Sequence, residues 1–219
     1  MSKQDSELVV SYLTLRQMIG WIGLLMPFFV RVGAFLREGI RSTDSISAYY
    51  YTGQRDVFVS TLVLVGILLT CYRTQAVRDN VVAIIAGVAA IGIGLFPMEP
   101  DFAPEIIQRY PHILETCYMN IGILGYHVFF VGAFFSLSFY LVYFRFSALT
   151  PVSPTSQKLQ RNRVYKICGA AMLVAFVAIG VLALKNKGGS IFWPETVAVV
   201  AFGVAWLVKG QTVLKDPAT

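Results

Sequence analysis

The run ICGAAMLVAFVAIGVLAL, residues 167–184, holds no charged side chain and is flanked by Lys166 and Lys185. At about 1.5 Å of rise per residue, an α-helix of this length spans roughly 27 Å. A bilayer core is about 30 Å thick and is crossed by roughly 20 apolar residues. Lipid offers no hydrogen bonds to the backbone, so a segment crossing it closes its own as a helix. Residues 167–184 therefore read as a transmembrane helix, and the question becomes how many companions it has.

Five further stretches carry the same signal, at residues 18–36, 57–72, 81–96, 121–144 and 195–208. The second, third and sixth spans are short, which predicts extension into flanks such as residues 49–56 and 192–194. The expected fold is all-α, a polytopic membrane bundle of six transmembrane helices without strands. It occupies residues 18–208, between an N-terminal segment, 1–17, and a C-terminal tail, 209–219. Composition agrees, since 56% hydrophobic against 14% charged residues and a mean hydropathy of +0.65 do not describe a surface facing water. The first apolar stretch carries Pro27 and Arg31 and lacks a clear cleavage site, so it reads as a retained helix.

Basic residues are retained on the side where the chain is made. With the N-terminus inside, the cytoplasmic segments hold eleven, including Lys3, Arg16, Arg73, Arg78, Arg145, Arg161 and Lys209. The opposite side holds six, namely Arg37, Arg41, Arg55, Arg109, Lys185 and Lys187. This places both termini in the cytoplasm of a multi-pass protein of the cell (inner) membrane, with residues 147–163 as a cytoplasmic linker. The same distribution accounts for the net charge of +6, so no nucleic-acid partner is expected. The basic cluster at residues 158–166 reads first as an orientation signal that also attracts anionic lipid.

Cys71, Cys117 and Cys168 show no CxxC or Cys/His spacing, and neither HxxxH nor HExxH occurs, so no metal and no other cofactor is expected. Small residues repeat at helical spacing as Ala83, Gly87, Ala90 and Gly94, and again as Ala198, Ala201 and Ala205. Such stripes let helix backbones approach closely in lipid.

Candidate chemistry gathers on the outer side. The loop RSTDSISAYYYTGQRD, residues 41–56, places hydroxyls, three consecutive tyrosines and an Arg-Asp pair before the second span. Tyrosine rings suit the headgroup level, and the sharper reading makes Tyr49, Tyr50, Arg55 and Asp56 a binding floor. Arg31 lies about 9 Å inside the first helix, where an ionisable group marks a functional candidate. His127, with Asn120 seven residues before it on nearly the same face, is expected to point into the bundle. Glu195 approaches from the same side. Glu115, His112 and the loop acids Glu99, Asp101 and Glu105 are further candidates for acid-base or metal chemistry, and Ser45 or Ser47 with His127 for nucleophilic chemistry.

The segments SISAYYYTGQRDVFV (45–59), CYR (71–73) and RNRVYKICG (161–169) resemble a family of bacterial six-helix integral membrane proteins classed as a domain of unknown function. The layout of one helix, an exposed Ser- and Gly-containing loop and five more helices is similar, more loosely, to the DRAM/Sfk-type family. It also invites comparison with membrane-embedded ceramidase-like hydrolases, whose clustered metal-binding histidines have no counterpart here. The expected function is binding of a lipid or small amphiphile in an outward-facing intramembrane pocket formed by Arg31, Tyr49, Tyr50, Arg55, Asp56, Asn120, His127 and Glu195. The alternatives are a membrane-embedded lipid hydrolase using Asp56, Glu115 and His127, or an accessory subunit of a membrane complex. Membrane lipids are the expected partners, with a further membrane protein or a second copy of the chain as the other candidates.

Overall fold

The computed structural model describes residues 3–98, 120–121, 124–148, 155–185 and 190–214. Among them six helices alternate in direction: α1 (Lys3–Glu38), α2 (Arg55–Cys71), α3 (Val77–Leu95), α4 (Tyr126–Phe139), α5 (Ser156–Lys185) and α6 (Phe192–Lys209). A 3-10 turn, Ser47–Tyr51, precedes α2, and a π-helical turn, Tyr140–Phe146, continues α4. Five of the helices, α4 being counted with the π-helical turn that continues it, are long and apolar enough to cross a membrane; the one left is α2, at 17 residues.

The outer surface shows which solvent this bundle suits. Phe29 and Leu36 on α1, Phe129 on α4, and Val174 and Leu184 on α5 are between 59% and 89% exposed. Water does not tolerate so continuous an apolar skin, whereas lipid does. The protein is a helical membrane bundle.

Without a hydrophobic drive between helices in lipid, close backbone contact does the packing. Gly66 of α2 and Gly87 of α3 face one another so tightly that a Cβ on Gly87 would sit 2.5 Å from the Gly66 carbonyl oxygen. The same holds between α1 and α6, where a Cβ on Gly203 would meet the Leu24 nitrogen at 2.6 Å and the Gly20 oxygen at 2.8 Å. Ala198, Ala201 and Ala205 are buried beside that contact. Both stripes of small residues thus lie in helix interfaces.

Helix ends follow local chemistry. α1 stops at Gly39, whose φ of 70° suits a residue without a Cβ, and its N–H donates to the Phe35 carbonyl at 3.0 Å while Ile40 N–H reaches Ala34. Between α2 and α3, the Asn80 side chain accepts from Thr74 N–H at 2.6 Å and donates back to the Thr74 carbonyl at 3.0 Å.

Four features differ from the sequence reading. α1 begins at Lys3, so most of the expected N-terminal segment 1–17 continues the first span as helix. α5 begins at Ser156, so the expected linker ends in helix and the basic cluster lies on it; Lys, Arg and Gln are good helix formers and extend the span beyond lipid. α4 begins at Tyr126, not 121, because residues Asn120–Ile121 pair antiparallel with Leu124–Gly125, and Gly125 then enters the helix from an extended conformation. That short pairing is the exception to the expectation of no strands. α3 begins at Val77, four residues early, with Asp79 in its first turn.

Candidate functional site

One end of the bundle is closed by residues 41–56, and two polar side chains from the helices hold that loop in place. The Glu195 carboxylate, in the first turn of α6, accepts from the Ser45 hydroxyl at 2.9 Å and from Ile46 N–H at 2.5 Å. His127, near the start of α4, faces the Phe96 carbonyl through Nδ1 at 2.8 Å and the Ser47 hydroxyl through Nε2 at 3.0 Å. A carbonyl only accepts, so Nδ1 carries the proton and Nε2 accepts from Ser47. Ser45 and Ser47 are joined in turn, because Ser47 N–H donates to the Ser45 hydroxyl oxygen at 3.0 Å. One polar chain therefore runs from α4 through the loop to α6. Asp44 adds a backbone link, its carbonyl accepting from Ile191 N–H at 2.7 Å.

The three tyrosines fold inward. Tyr49, Tyr50 and Tyr51 are at most 4% exposed, and the Tyr51 hydroxyl donates to the Met98 carbonyl at 2.5 Å. Burial pushes the Tyr49 hydroxyl above its ordinary value, with the Thr43 side chain and the Arg31 charge pulling the other way. The loop is a packed cap made of aromatic rings and short hydroxyl bridges.

Of the residues singled out from the sequence, the structure brings His127 and Glu195 to the same loop. Arg31 packs on the start of α6, its guanidinium 5.1 Å from the ring centre of Phe192 and 5.3 Å from that of Trp193. Arg55 pairs with Tyr50, donating to its hydroxyl at 2.7 Å and lying 4.5 Å from the ring centre. Asp56 is exposed at the start of α2. Asn120 stands in the short β pairing, and its side chain is outside the described residues, as are Glu99, Asp101, Glu105, His112 and Glu115. Among the described residues no three His, Cys, Asp or Glu side chains gather as a metal site.

Two spaces adjoin this end. A recess of about 40 Å³ touches Ser47 and Glu195 and is otherwise walled by apolar side chains including Phe58, Phe134 and Phe135. A lateral groove of about 280 Å³ lies between α1 and α2, lined by Trp21, Leu25, Met26, Phe29, Thr61 and Leu64 among others. Ser60, also in the groove wall, is one turn below Asp56 on the same helix face. The Ser60 and Thr61 hydroxyls donate to their own helix, to the carbonyls of Asp56 and Val57.

Sequence reasoning missed the opposite end. There Tyr12 and Arg16 of α1, the α2–α3 turn, the π-helical turn after α4 and the end of α6 line an open cavity of about 600 Å³. Its signal was present only as scattered basic residues at helix ends. Compared with known proteins, the chain matches no family model, no curated sequence and no solved structure.

Proposed function

We propose that this chain is a six-span membrane protein with both termini in the cytoplasm, which binds a lipid or small amphiphile at its outer end without acting on it. The sixth span is α2. Its 17 residues reach about 25 Å, short of the roughly 30 Å core by an amount that tilt or local thinning absorbs. Its C-terminal end lies level with those of its neighbours, since residues 72–76 join the cavity wall that Arg16, Arg145 and Lys209 also line.

The observation that carries the binding reading is the lateral groove between α1 and α2. It is walled mainly by apolar side chains, has room for an acyl segment, and includes Ser60, one turn along α2 from Asp56, an exposed carboxylate available to a polar head. The test is lipid retention after purification in mild detergent. Thr61→Trp, which fills the groove, is expected to lower retained lipid several-fold, and Asp56→Ala is expected to change which headgroups remain. Unchanged lipid content and composition in both variants would overturn the reading.

A second reading, a membrane-embedded hydrolase, is favoured by one observation, the Ser47 hydroxyl set on His127 Nε2 with Nδ1 anchored on a carbonyl. That is the pairing of a hydroxyl with a base. Covalent labelling by a fluorophosphonate probe, lost in Ser47→Ala, would favour it over binding alone.

A further inference from the structure

The cavity at the other end of the bundle is lined by Arg16, Arg73, Arg145 and Lys209, with Asp79 as the acidic group among its described walls. Asp79 is already committed, since its Oδ1 lies 2.6 Å from Arg145 Nε. Beside it, a smaller recess of about 100 Å³ shares Arg16 and Lys209 and adds Lys158 and Arg161. Six cations thus line two neighbouring recesses, and Asp79 is the one carboxylate among their described walls. Retention of basic residues on the inner side explains why they occur at this end. It does not explain why side chains from α1, the α2–α3 turn, α4, α5 and α6 turn toward a common hollow.

Arg16 stands at the centre. Its guanidinium lies 4.7 Å from the ring centre of Tyr12 and 5.6 Å from that of Tyr72. One nitrogen donates to the Lys209 carbonyl at 3.4 Å, while the buried Nε has no acceptor within hydrogen-bond distance. Lys209 Nζ lies 4.8 Å from the Phe146 ring centre. Arg16 and Lys209 are therefore held against aromatic faces, which position a charge without neutralising it.

We propose that this cavity binds a phosphate group carried on a small organic body. A tetrahedral dianion accepts from several guanidinium and ammonium donors at once, and Arg in particular meets its oxygens two at a time. The volume suits a phosphate ester, and the Tyr12, Tyr72, Leu141 and Phe146 walls suit its uncharged part. The phosphate comes either from the headgroup of an anionic phospholipid or from a soluble ester. The proposal is independent of the outer groove.

The test is thermal melting of the full-length protein in neutral detergent, titrated in separate arms with glycerol 3-phosphate and with phosphatidylglycerol, and with phosphatidylcholine as the control lipid. A saturable rise in melting temperature in either of the first two arms is expected, and the responding arm identifies the source. The Arg16→Gln and Lys209→Gln double variant is expected to weaken that binding at least tenfold, and Arg73→Gln, at an exposed position, severalfold. Arg78→Gln, an exposed cation at the same end that does not line the cavity, is expected to leave it unchanged. Should the double variant fail to fold, Arg73→Gln against Arg78→Gln carries the comparison. No rise in either phosphate arm overturns the proposal, as does a loss in Arg78→Gln equal to that in Arg73→Gln, which would mark a diffuse charge effect.

Discussion

The Ser47 hydroxyl lies 3.0 Å from His127 Nε2 across 80 residues of sequence, and both side chains are buried. Through this contact, and the matching one between Ser45 and Glu195, the loop of residues 41–56 becomes part of the helix bundle. Three polar contacts from α4 and α6, Glu195 to Ser45 and Ile46 and His127 to Ser47, fix where the loop and its tyrosines pack.

His127→Phe keeps the bulk of the ring and leaves the buried Ser47 hydroxyl and the half-buried Phe96 carbonyl without their partner. Such orphaned groups are destabilising by about 1–3 kcal/mol each, so a melting temperature several degrees below the parent is expected in detergent. A melt indistinguishable from the parent would show that the loop is held by its tyrosines alone.

Glu195→Ala removes the acceptor for two donors, while Glu195→Gln keeps one oxygen in place. The expected order of stability is parent, then Gln, then Ala, with the Ala variant lower by about 1–3 kcal/mol. Because the Ser47 N–H is tied to Ser45, Glu195→Ala and Ser47→Ala are expected to be non-additive by at least about 0.5 kcal/mol in a double-mutant cycle. Strict additivity would mean that the two anchors act separately.

Two glycines give a paired test of the packing. A Cβ on Gly87 would press on backbone atoms of α2, whereas one on Gly132 meets nothing within 4 Å. Gly87→Ala is expected to destabilise by about 1–3 kcal/mol, and Gly132→Ala to be neutral or to stabilise by up to about 1 kcal/mol through helix propensity. Thermal melts of the two variants side by side decide it.

Asp79→Asn leaves the Arg145 guanidinium without its carboxylate at a site where the two side chains are 34% and 11% exposed. Partial burial puts the loss between that of a surface pair and a buried one, about 1–2 kcal/mol. The loss should shrink as salt is raised, because screening weakens what remains. A salt-independent loss would point to packing of the Asp79 side chain instead.

Much of the architecture was legible in the sequence because apolar length answers directly to bilayer thickness. Residues 167–184 could be placed on sight, whereas the helix continues back to Ser156 through charged residues that hydropathy reads as loop. The closing loop was recognised as unusual from its hydroxyls and tyrosines. Its anchoring was not, since Ser45 and Glu195 are 150 residues apart and only the tertiary fold reveals that they meet. The basic cavity escaped for a related reason. Arg16, Arg145 and Lys209 each look like an ordinary orientation signal at the end of a helix, and what makes them a site is their convergence.

The central claim is that α2 crosses the membrane, with residues 41–56 outside and the α2–α3 turn inside. Its most direct test is labelling of intact cells with a membrane-impermeant maleimide, using single cysteines at Ser42 and Gln75, both exposed, after replacing Cys71, Cys117 and Cys168 with serine. We expect Ser42→Cys to react in intact cells and Gln75→Cys only after permeabilisation. Labelling of both from the same side would contradict the crossing, and the reverse pattern would invert the two faces and with them the outer groove.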